Sequence, residues 1–398
     1  MTRRVEQEMA NGAGTVATWG GEFGPHPYGA SQVPIVLSAP FAYEDIDHWS
    51  DVALGLREGH IYSRNTNPTL EAFEEKVRLL EGGARATSFA SGMAAISNTL
   101  FALLERGDRV VSVRDAYGGT SRILMEQLPR LGVDVTLVDT EDQEQLKHEI
   151  LQGCKLVYLE TPTNPTLKLV DLREAIDAAH AVGAITVVDN TFATPINQRP
   201  LKLGSDLVLH SATKFLGGHD DALGGVLVGD EELVGKVFAY REITGATLGS
   251  FAAYMLLRGL KTLELRVARQ NENAGQVARM LAAHPKVDKV FHPSLDTHRG
   301  HDIAKRQMTG FGGVLSFSLL GGEAAIKGVL ESMKLAQRAA SLGAVNTLVG
   351  TPATTSHVEC TAEQRAELGI PTTLIRYSCG IENAQDLIAD LEQALQNA

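Results

Sequence analysis

The chain has 398 residues, 44% of them apolar and 21% charged, an ordinary balance for a soluble globular protein with room for two domains. Its formal charge of −12 at pH 7 speaks against a nucleic-acid surface, which needs a basic domain or stripe, and gives no support to binding an anionic membrane. Cys154, Cys360 and Cys379 are odd in number and lack metal-type spacing, so a disulfide scaffold is not expected and a reducing compartment is. No apolar run reaches the roughly 18 residues of a membrane helix. The N-terminal residues hold no signal-peptide core. A cytoplasmic protein is the expectation.

Residues 1–60 are rich in Gly, Pro and aromatics, as in Trp19-Gly20-Gly21 and Gly24-Pro25-His26-Pro27-Tyr28. They read as an extended arm with little packing of its own, laid on a second subunit, with a disordered tail over about the first dozen. Residues 61–255 alternate short apolar runs with helical patterns. The runs are 86–89, 109–113, 133–138, 156–160, 185–189, 207–210 and 226–228, and several are continuous, as in strands buried on both faces. Helices are expected over 94–105 and 172–182. The layout is α/β, with a mainly parallel seven-stranded sheet. Residues 256–398 read as a smaller α+β domain: a long helix over 260–281, a strand within 312–319, a helix over 323–333 and a closing helix near 383–395.

Lys214 is the chemical anomaly. It follows the run Leu207-Val208-Leu209 inside His210-Ser211-Ala212-Thr213-Lys214-Phe215-Leu216-Gly217-Gly218-His219. Lysine is almost never buried unless paired or reacted. A desolvated lysine can lose its proton near neutral pH and attack a carbonyl. The flanking hydroxyls and glycines suggest a nearby phosphate, and together these features point to pyridoxal phosphate (PLP) on Lys214.

PLP also needs an acid for its ring nitrogen, donors for its phosphate and something flat against its ring. Asp189 ends the run Ile185–Val188, where a carboxylate can keep the ring nitrogen protonated. Ser91-Gly92-Met93 reads as a glycine turn opening a helix, whose free N–H groups suit an anion, or as a plain N-cap by Ser91. Ser211 and Thr213 can donate from the other side. Tyr62 and Arg64 suit phosphate oxygens, while Asn67-Pro68-Thr69 fits a turn with a helix cap. Tyr117, beside Gly118 and Gly119, can stack on the ring. Arg376 lies in the apolar run Leu374-Ile375-Arg376-Tyr377-Ser378 and suits a substrate carboxylate or a structural ion pair. Ser211-Ala212-Thr213-Lys214 also fits the Ser-x-x-Lys pattern of serine β-lactamases, but the Ser-Asp-Asn and Lys-Thr-Gly partners are missing. The twelve histidines show no zinc spacing, and His219 and His357 read as polar fillers.

These motifs, in this order, resemble the Cys/Met-metabolism branch of the fold-type I PLP-dependent enzymes: cystathionine γ-synthase, cystathionine γ-lyase, methionine γ-lyase and the O-acetylhomoserine sulfhydrylases. The resemblance runs from about residue 30 to the C-terminus and includes Glu160–Pro165 and Ser341–Gly343. It implies that Lys214 is the Schiff-base lysine and proton shuttle, and that Asp189 partners the ring nitrogen. Gly92, Met93, Ser211 and Thr213 would hold the phosphate, and Asn164 would lie near the ring hydroxyl. Tyr117 would stack on the ring and help the leaving group depart. Arg376 with Ser341 would bind the carboxylate of a small amino-acid substrate. Tyr62 and Arg64 would reach the phosphate of a neighbouring subunit, which makes a dimer obligatory and a homotetramer of dimers the expectation.

Substrate choice stays open between features that disagree. Ile61 and Asn346 stand where cystathionine enzymes often carry acids for a distal ammonium, which favours methionine or homocysteine. Gly119 stands where methionine γ-lyases often carry a cysteine, and with Tyr117 and Arg122 it looks more like the cystathionine enzymes. The expected activity is a carbon–sulfur lyase working by γ- or β-elimination. The alternatives are a γ-replacing transferase and, from another class, a PLP-binding regulatory protein.

Overall fold

The computed structural model describes residues 12–398 apart from 23 and 359. Seven strands form the larger sheet: β1 Arg85–Phe89, β2 Arg109–Val113, β3 Asp134–Val138, β4 Leu156–Glu160, β5 Ile185–Asp189, β6 Leu207–Ser211 and β7 Gly225–Gly229. Their order is β1-β7-β6-β5-β4-β2-β3. The ladders from β3 through β6 are parallel, and β7 runs antiparallel to both β6 and β1. The sheet is therefore mainly parallel, as the sequence predicts.

Continuous apolar strands arise because helices cover both faces. In β4, Leu156 and Tyr158 join the core on one side of the sheet, while Val157 and Leu159 join the core on the other. Val187 and Val188 of β5 divide in the same way. Successive side chains of a strand point to opposite faces, so only a residue at the strand's end escapes this burial between layers. Glu160, Asp189 and Ser211 are such end residues.

A second, five-stranded sheet follows: β8 Val287–Phe291, β9 Val314–Leu319, β10 Gln337–Arg338, β11 Leu348–Gly350 and β12 Leu374–Ser378. Its order is β10-β11-β12-β9-β8, antiparallel except between β10 and β11. The helices Leu263–Ala282, Gly322–Ser332 and Ala384–Leu395 share its core. No helix among the described residues is long and apolar enough to cross a membrane.

Two expectations change. The long helix expected over 260–281 is two helices, Ser250–Leu260 and Leu263–Ala282, and the first of them runs through residue 255. The break lies where Gly259 meets the loop after Lys214: a Cβ on Gly259 would sit 2.1 Å from the Gly217 carbonyl oxygen.

The arm is also better packed than its composition suggests. The helix Ala13–Trp19 buries Val16 and Ala17. Lys76, fully buried, donates to the Ala17 carbonyl at 2.9 Å, the Thr18 carbonyl at 3.1 Å and Glu22 Oε1 at 2.5 Å. Glu22 pairs in turn with Lys261 at 2.7 Å. Beyond it the arm does expose apolar groups, including Tyr28, Leu37, Ile46, Leu54 and Leu56. The tail expected to be disordered falls mostly outside the described residues.

Asn67-Pro68-Thr69 is a capped helix start, as the sequence predicts. Asn67 Oδ1 accepts from the Thr69 N–H at 2.9 Å, Pro68 opens the helix Pro68–Glu81, and Gly82 closes it at φ +82°.

Candidate active site

A cavity of about 230 Å³ opens at the carboxyl ends of β4, β5 and β6 and reaches the second sheet. In open parallel sheets this is where ligands gather. It is lined by Lys214, Asp189, Tyr117, Asn164 and Arg376, by the turn Ser91–Met93, and by the hydroxyl residues Ser211 and Thr213. Residues spread over nearly 300 positions of sequence meet there because β12 of the second sheet brings Arg376 over the end of the first.

Lys214 sits in a tight loop after β6. Its N–H donates to the Ser211 carbonyl at 3.2 Å and its carbonyl accepts from Gly218 at 2.8 Å. Arg266, buried in the helix Leu263–Ala282, clamps this loop from behind. Its guanidinium donates to the carbonyls of Phe215 at 2.7 Å, Leu216 at 3.2 Å and Gly259 at 2.8 Å. Gly218, at φ +74°, would carry a Cβ 2.0 Å from Arg266 Nη1. Gly218 thus makes room for Arg266, a Cβ on Gly217 would lie 2.9 Å from Leu256 Cδ2, and neither glycine lines the cavity. The lysine side chain reaches Ser341 Oγ at 3.3 Å. Burial, then the Arg376 charge, lowers its pKa to about 8, against a smaller upward pull from Asp220.

Asp189 and Glu160 are directly paired across β4 and β5. Asp189 Oδ1 accepts from the Thr191 N–H at 3.0 Å and the Thr191 hydroxyl at 2.5 Å, and Oδ2 accepts from Tyr158 at 3.4 Å. Burial raises the pKa of Asp189, with the Thr191 bonds opposing. Burial raises Glu160 well above its ordinary value, and the neighbouring Asp189 adds to the rise. Two carboxyls side by side in low dielectric do not both ionise readily. Thr191 favours Asp189 as the charged one, leaving Glu160 to hold the proton. Glu160 Oε2 also accepts the Tyr117 N–H at 2.7 Å, which fixes the loop that presents the Tyr117 ring.

Arg376 donates to Asn164 Oδ1 at 3.1 Å and to the Ser341 carbonyl at 3.0 Å. These acceptors are neutral, and no carboxylate among the described residues forms an ion pair with it, so the structural ion pair weighed from the sequence is absent. Burial lowers its pKa to about 10, still far above neutrality. A buried cation that faces a cavity and has no carboxylate paired with it is a binding group for an anion.

Ser91 is both N-cap and cavity wall: its Oγ accepts from the Ala94 N–H at 3.1 Å and opens the helix Gly92–Leu103. Gly92 is required by packing, since a Cβ there would lie 2.7 Å from Ser211 Cβ. Likewise a Cβ on Gly119 would lie 2.7 Å from Met93 Sδ and 3.0 Å from the Tyr117 ring.

Several predicted residues lie elsewhere in this chain. The Arg64 guanidinium sits 5.1 Å from the centre of the half-exposed Tyr62 ring, outside the Lys214 cavity. Buried Arg241 fixes that turn by donating to the Arg64 and Asn65 carbonyls at 3.3 and 2.6 Å. Ile61 lines a separate surface crevice with His60 and Glu71. Asn346 donates to Gln337 at 3.1 Å, and Arg122 pairs with Glu126 at 3.5 Å; neither lines the cavity. His219 and His357 bond within their own loops, to the Gly217 carbonyl at 2.8 Å and to Ser356 Oγ at 3.0 Å.

The sequence reading missed Glu160, Thr191, Asp220, Arg241 and Arg266 as contributors. Glu160 carried the same signal as Asp189, an acid closing an apolar strand. Arg241 and Arg266 carried none, because an arginine on a helix reads as a surface residue.

The profile of the Cys/Met metabolism PLP-dependent enzymes matches residues 14–396. An L-methionine gamma-lyase of Fusobacterium nucleatum subsp. polymorphum is 42% identical over 388 residues, covering 97% of this chain and 98% of that protein. A cystathionine gamma-lyase of Bacillus subtilis (strain 168) is 43% identical, covering 96% and 99%. The crystal structure of a cystathionine gamma synthase from Xanthomonas oryzae pv. oryzae superposes with a TM-score of 0.92 at 41% identity, covering 97% of this chain and 98% of that one.

The cavity fits the cofactor of such enzymes on its own chemistry. It offers an amine, a buried carboxylate with a lightly used oxygen, a helix N-terminus flanked by two hydroxyl side chains, and an aromatic ring at the wall.

Proposed function

The chain belongs to the Cys/Met metabolism PLP-dependent enzymes, and within that family we propose a carbon–sulfur lyase that eliminates a thiol from a sulfur amino acid such as methionine, homocysteine or cystathionine. The observation that carries the residue roles is that Lys214, Asp189 and Arg376 share one cavity, each with chemistry suited to a different part of the cofactor–substrate pair. When bound, PLP draws electrons from the substrate's α-carbon through its ring.

The chain's own groups divide the remaining work. Asp189, whose ionised form the two Thr191 bonds favour, would hold a proton on the ring nitrogen. Ser211, Thr213 and the N–H groups of Gly92 and Met93 hold the phosphate. Asn164 would lie beside the ring hydroxyl, and its Oδ1 accepts from Arg376. Tyr117, its loop fixed by Glu160, would cover the ring. Arg376 orients the substrate carboxylate, with Ser341 at its side. Lys214 Nζ, neutral in a useful fraction at physiological pH, takes the α-proton and can deliver or remove a second at the neighbouring carbon. Elimination then releases a thiol, and hydrolysis of the remainder yields a 2-oxo acid and ammonia.

The enzyme is proposed to be a cytoplasmic homotetramer built from dimers. Tyr62 and Arg64 supply the support: an aromatic–guanidinium pair suited to phosphate oxygens stands half-exposed outside its own chain's cavity. Ile61, Asn346 and Arg122 are proposed as substrate-side residues of the assembled site.

The transferase is the second reading. Its support is the likeness to the Xanthomonas synthase and the bare Gly119 beside Tyr117. A substrate panel decides between the two: methionine, homocysteine, cystathionine and cysteine alone, and O-acetyl- or O-succinylhomoserine with and without a thiol. Release of thiol and 2-oxo acid without an acceptor supports the lyase. Product only when cysteine or sulfide is added sinks it.

A further inference from the structure

Asp220 has entered so far only as the smaller upward pull on Lys214. It is an exposed residue in the loop after Lys214, held at φ +56°. A non-glycine residue in the left-handed region is uncommon and costs energy, though Asp and Asn tolerate it better than other side chains. Such strain persists only where the surroundings fix it, and it concentrates at functional sites. Here the conformation places the Asp220 carboxylate against Ser341: Ser341 Oγ donates to Asp220 Oδ1 at 3.1 Å.

That bond sets the polarity of the next one. A serine hydroxyl has a single proton, and Ser341 has committed it to Asp220. Toward Lys214 Nζ, at 3.3 Å, Ser341 can therefore act only as an acceptor. An acceptor polarised by a carboxylate behind it favours a positively charged donor. The serine is itself fixed. Its carbonyl accepts from Arg376 at 3.0 Å, and Gly343, at φ +80°, crosses the Phe215 backbone where a Cβ would lie 2.7 Å from Phe215 N. The Ser341 loop thus cannot shift without disturbing the lysine loop.

We propose that Asp220, acting through the Ser341 hydroxyl, is a positioning residue that holds the Lys214 amine in place and favours its ammonium form. It counterbalances Arg376, the cation that β12 brings to the same lysine. The other ionisable groups lining the cavity are Tyr117 on the loop after β2, Glu160 at the end of β4 and Asp189 at the end of β5. The direction agrees with the opposing influences on Lys214: burial and Arg376 lower its pKa, and Asp220 raises it. In turnover, Nζ gains a proton from the substrate carbon, and the Asp220–Ser341 pair stabilises that gained charge until the proton is passed on. This rests on the role proposed for Lys214.

The test uses Asp220→Asn, which keeps the hydrogen-bond acceptor and the tolerance for positive φ and removes only the charge. In apoenzyme, competitive acetylation followed by mass spectrometry reads the titration midpoint of Lys214. The midpoint should fall by roughly half a unit to two units for charges about 6 Å apart at an effective dielectric between 80 and 20. A purely structural role for Asp220 does not move this midpoint. The apo variant should also capture added PLP at neutral pH about threefold faster or more, because more of the amine is unprotonated.

In a Ser341→Ala background the effect of Asp220→Asn should shrink to less than half. A midpoint equal to the wild type's in Asp220→Asn overturns the proposal. An undiminished shift in the Ser341→Ala background overturns the relay through serine. The apo titration needs no cofactor, so failure of Lys214 to take PLP at all overturns the function proposed above and is read separately.

Discussion

Replacing Arg376 by Gln removes a buried cation from the cavity and leaves a shorter, neutral amide. In the wild type the guanidinium already has two neutral acceptors, Asn164 at 3.1 Å and the Ser341 carbonyl at 3.0 Å, that aim it. A substrate carboxylate placed on this aimed fork gains two charge-assisted bonds, each about 1.5–3 kcal/mol. Losing both costs roughly 3–6 kcal/mol in kcat/KM, about 10²- to 10⁴-fold.

The substitution also acts on Lys214. The Arg376 charge is the second-largest cause, after burial, that brings the lysine to about 8, so without it Nζ keeps its proton to higher pH. Neutral lysine is the working base. The alkaline-rising limb of the rate profile should follow this lysine, whose pKa is lowered to about 8, and should move further alkaline in Arg376→Gln. The assay is the initial rate of thiol release across neutral to alkaline pH, with KM and kcat separated. A raised KM with an alkaline-shifted limb is expected. An unchanged KM, or a limb that stays put or moves to lower pH, refutes the placement of Arg376 over both substrate and lysine.

Other outcomes follow from the same geometry. Lys214→Ala should lose turnover while still retaining PLP noncovalently, seen as cofactor that co-elutes on gel filtration but is not fixed by borohydride; residual wild-type turnover refutes the assigned base. Asp189→Asn removes the ring-nitrogen charge partner, and PLP should dissociate at least about tenfold more readily, checked by equilibrium dialysis, since a hydrogen bond to a charged group contributes about 1.5–3 kcal/mol. Arg266→Met strands three carbonyls, those of Phe215, Leu216 and Gly259, and should cost roughly 3–5 kcal/mol in urea unfolding. A loss below about 1 kcal/mol would show that the clamp on the lysine loop is not needed.

Much of the catalytic layer was legible because strand periodicity forces it. A parallel strand covered on both faces reads as a continuous apolar run, so a polar residue at its end marks where the layer opens. That logic reaches Asp189, Ser211 and Lys214 directly, and applied to Glu160 it would have reached the second carboxyl. Capping chemistry made the starts of Gly92–Leu103 and Pro68–Glu81 readable for the same local reason. The packed helix Ala13–Trp19 was not readable, because its stability comes from Lys76 and from Glu22 with Lys261, partners far along the chain.

The sequence by itself determined the alternation of strand and helix, the lysine and acids at strand ends, and the family that this order of motifs marks. Those are local properties: a period of two, a cap, a residue type beside a turn. The tertiary structure decided which groups act on one another. Only the packing of β12 across the end of the first sheet sets Arg376 beside Lys214, and only the crossing of the Ser341 loop over Phe215 sets Ser341 between Lys214 and Asp220. Electrostatic coupling depends on distance and burial, which no spacing along the chain specifies, so the charge balance at the lysine had to be read from the fold.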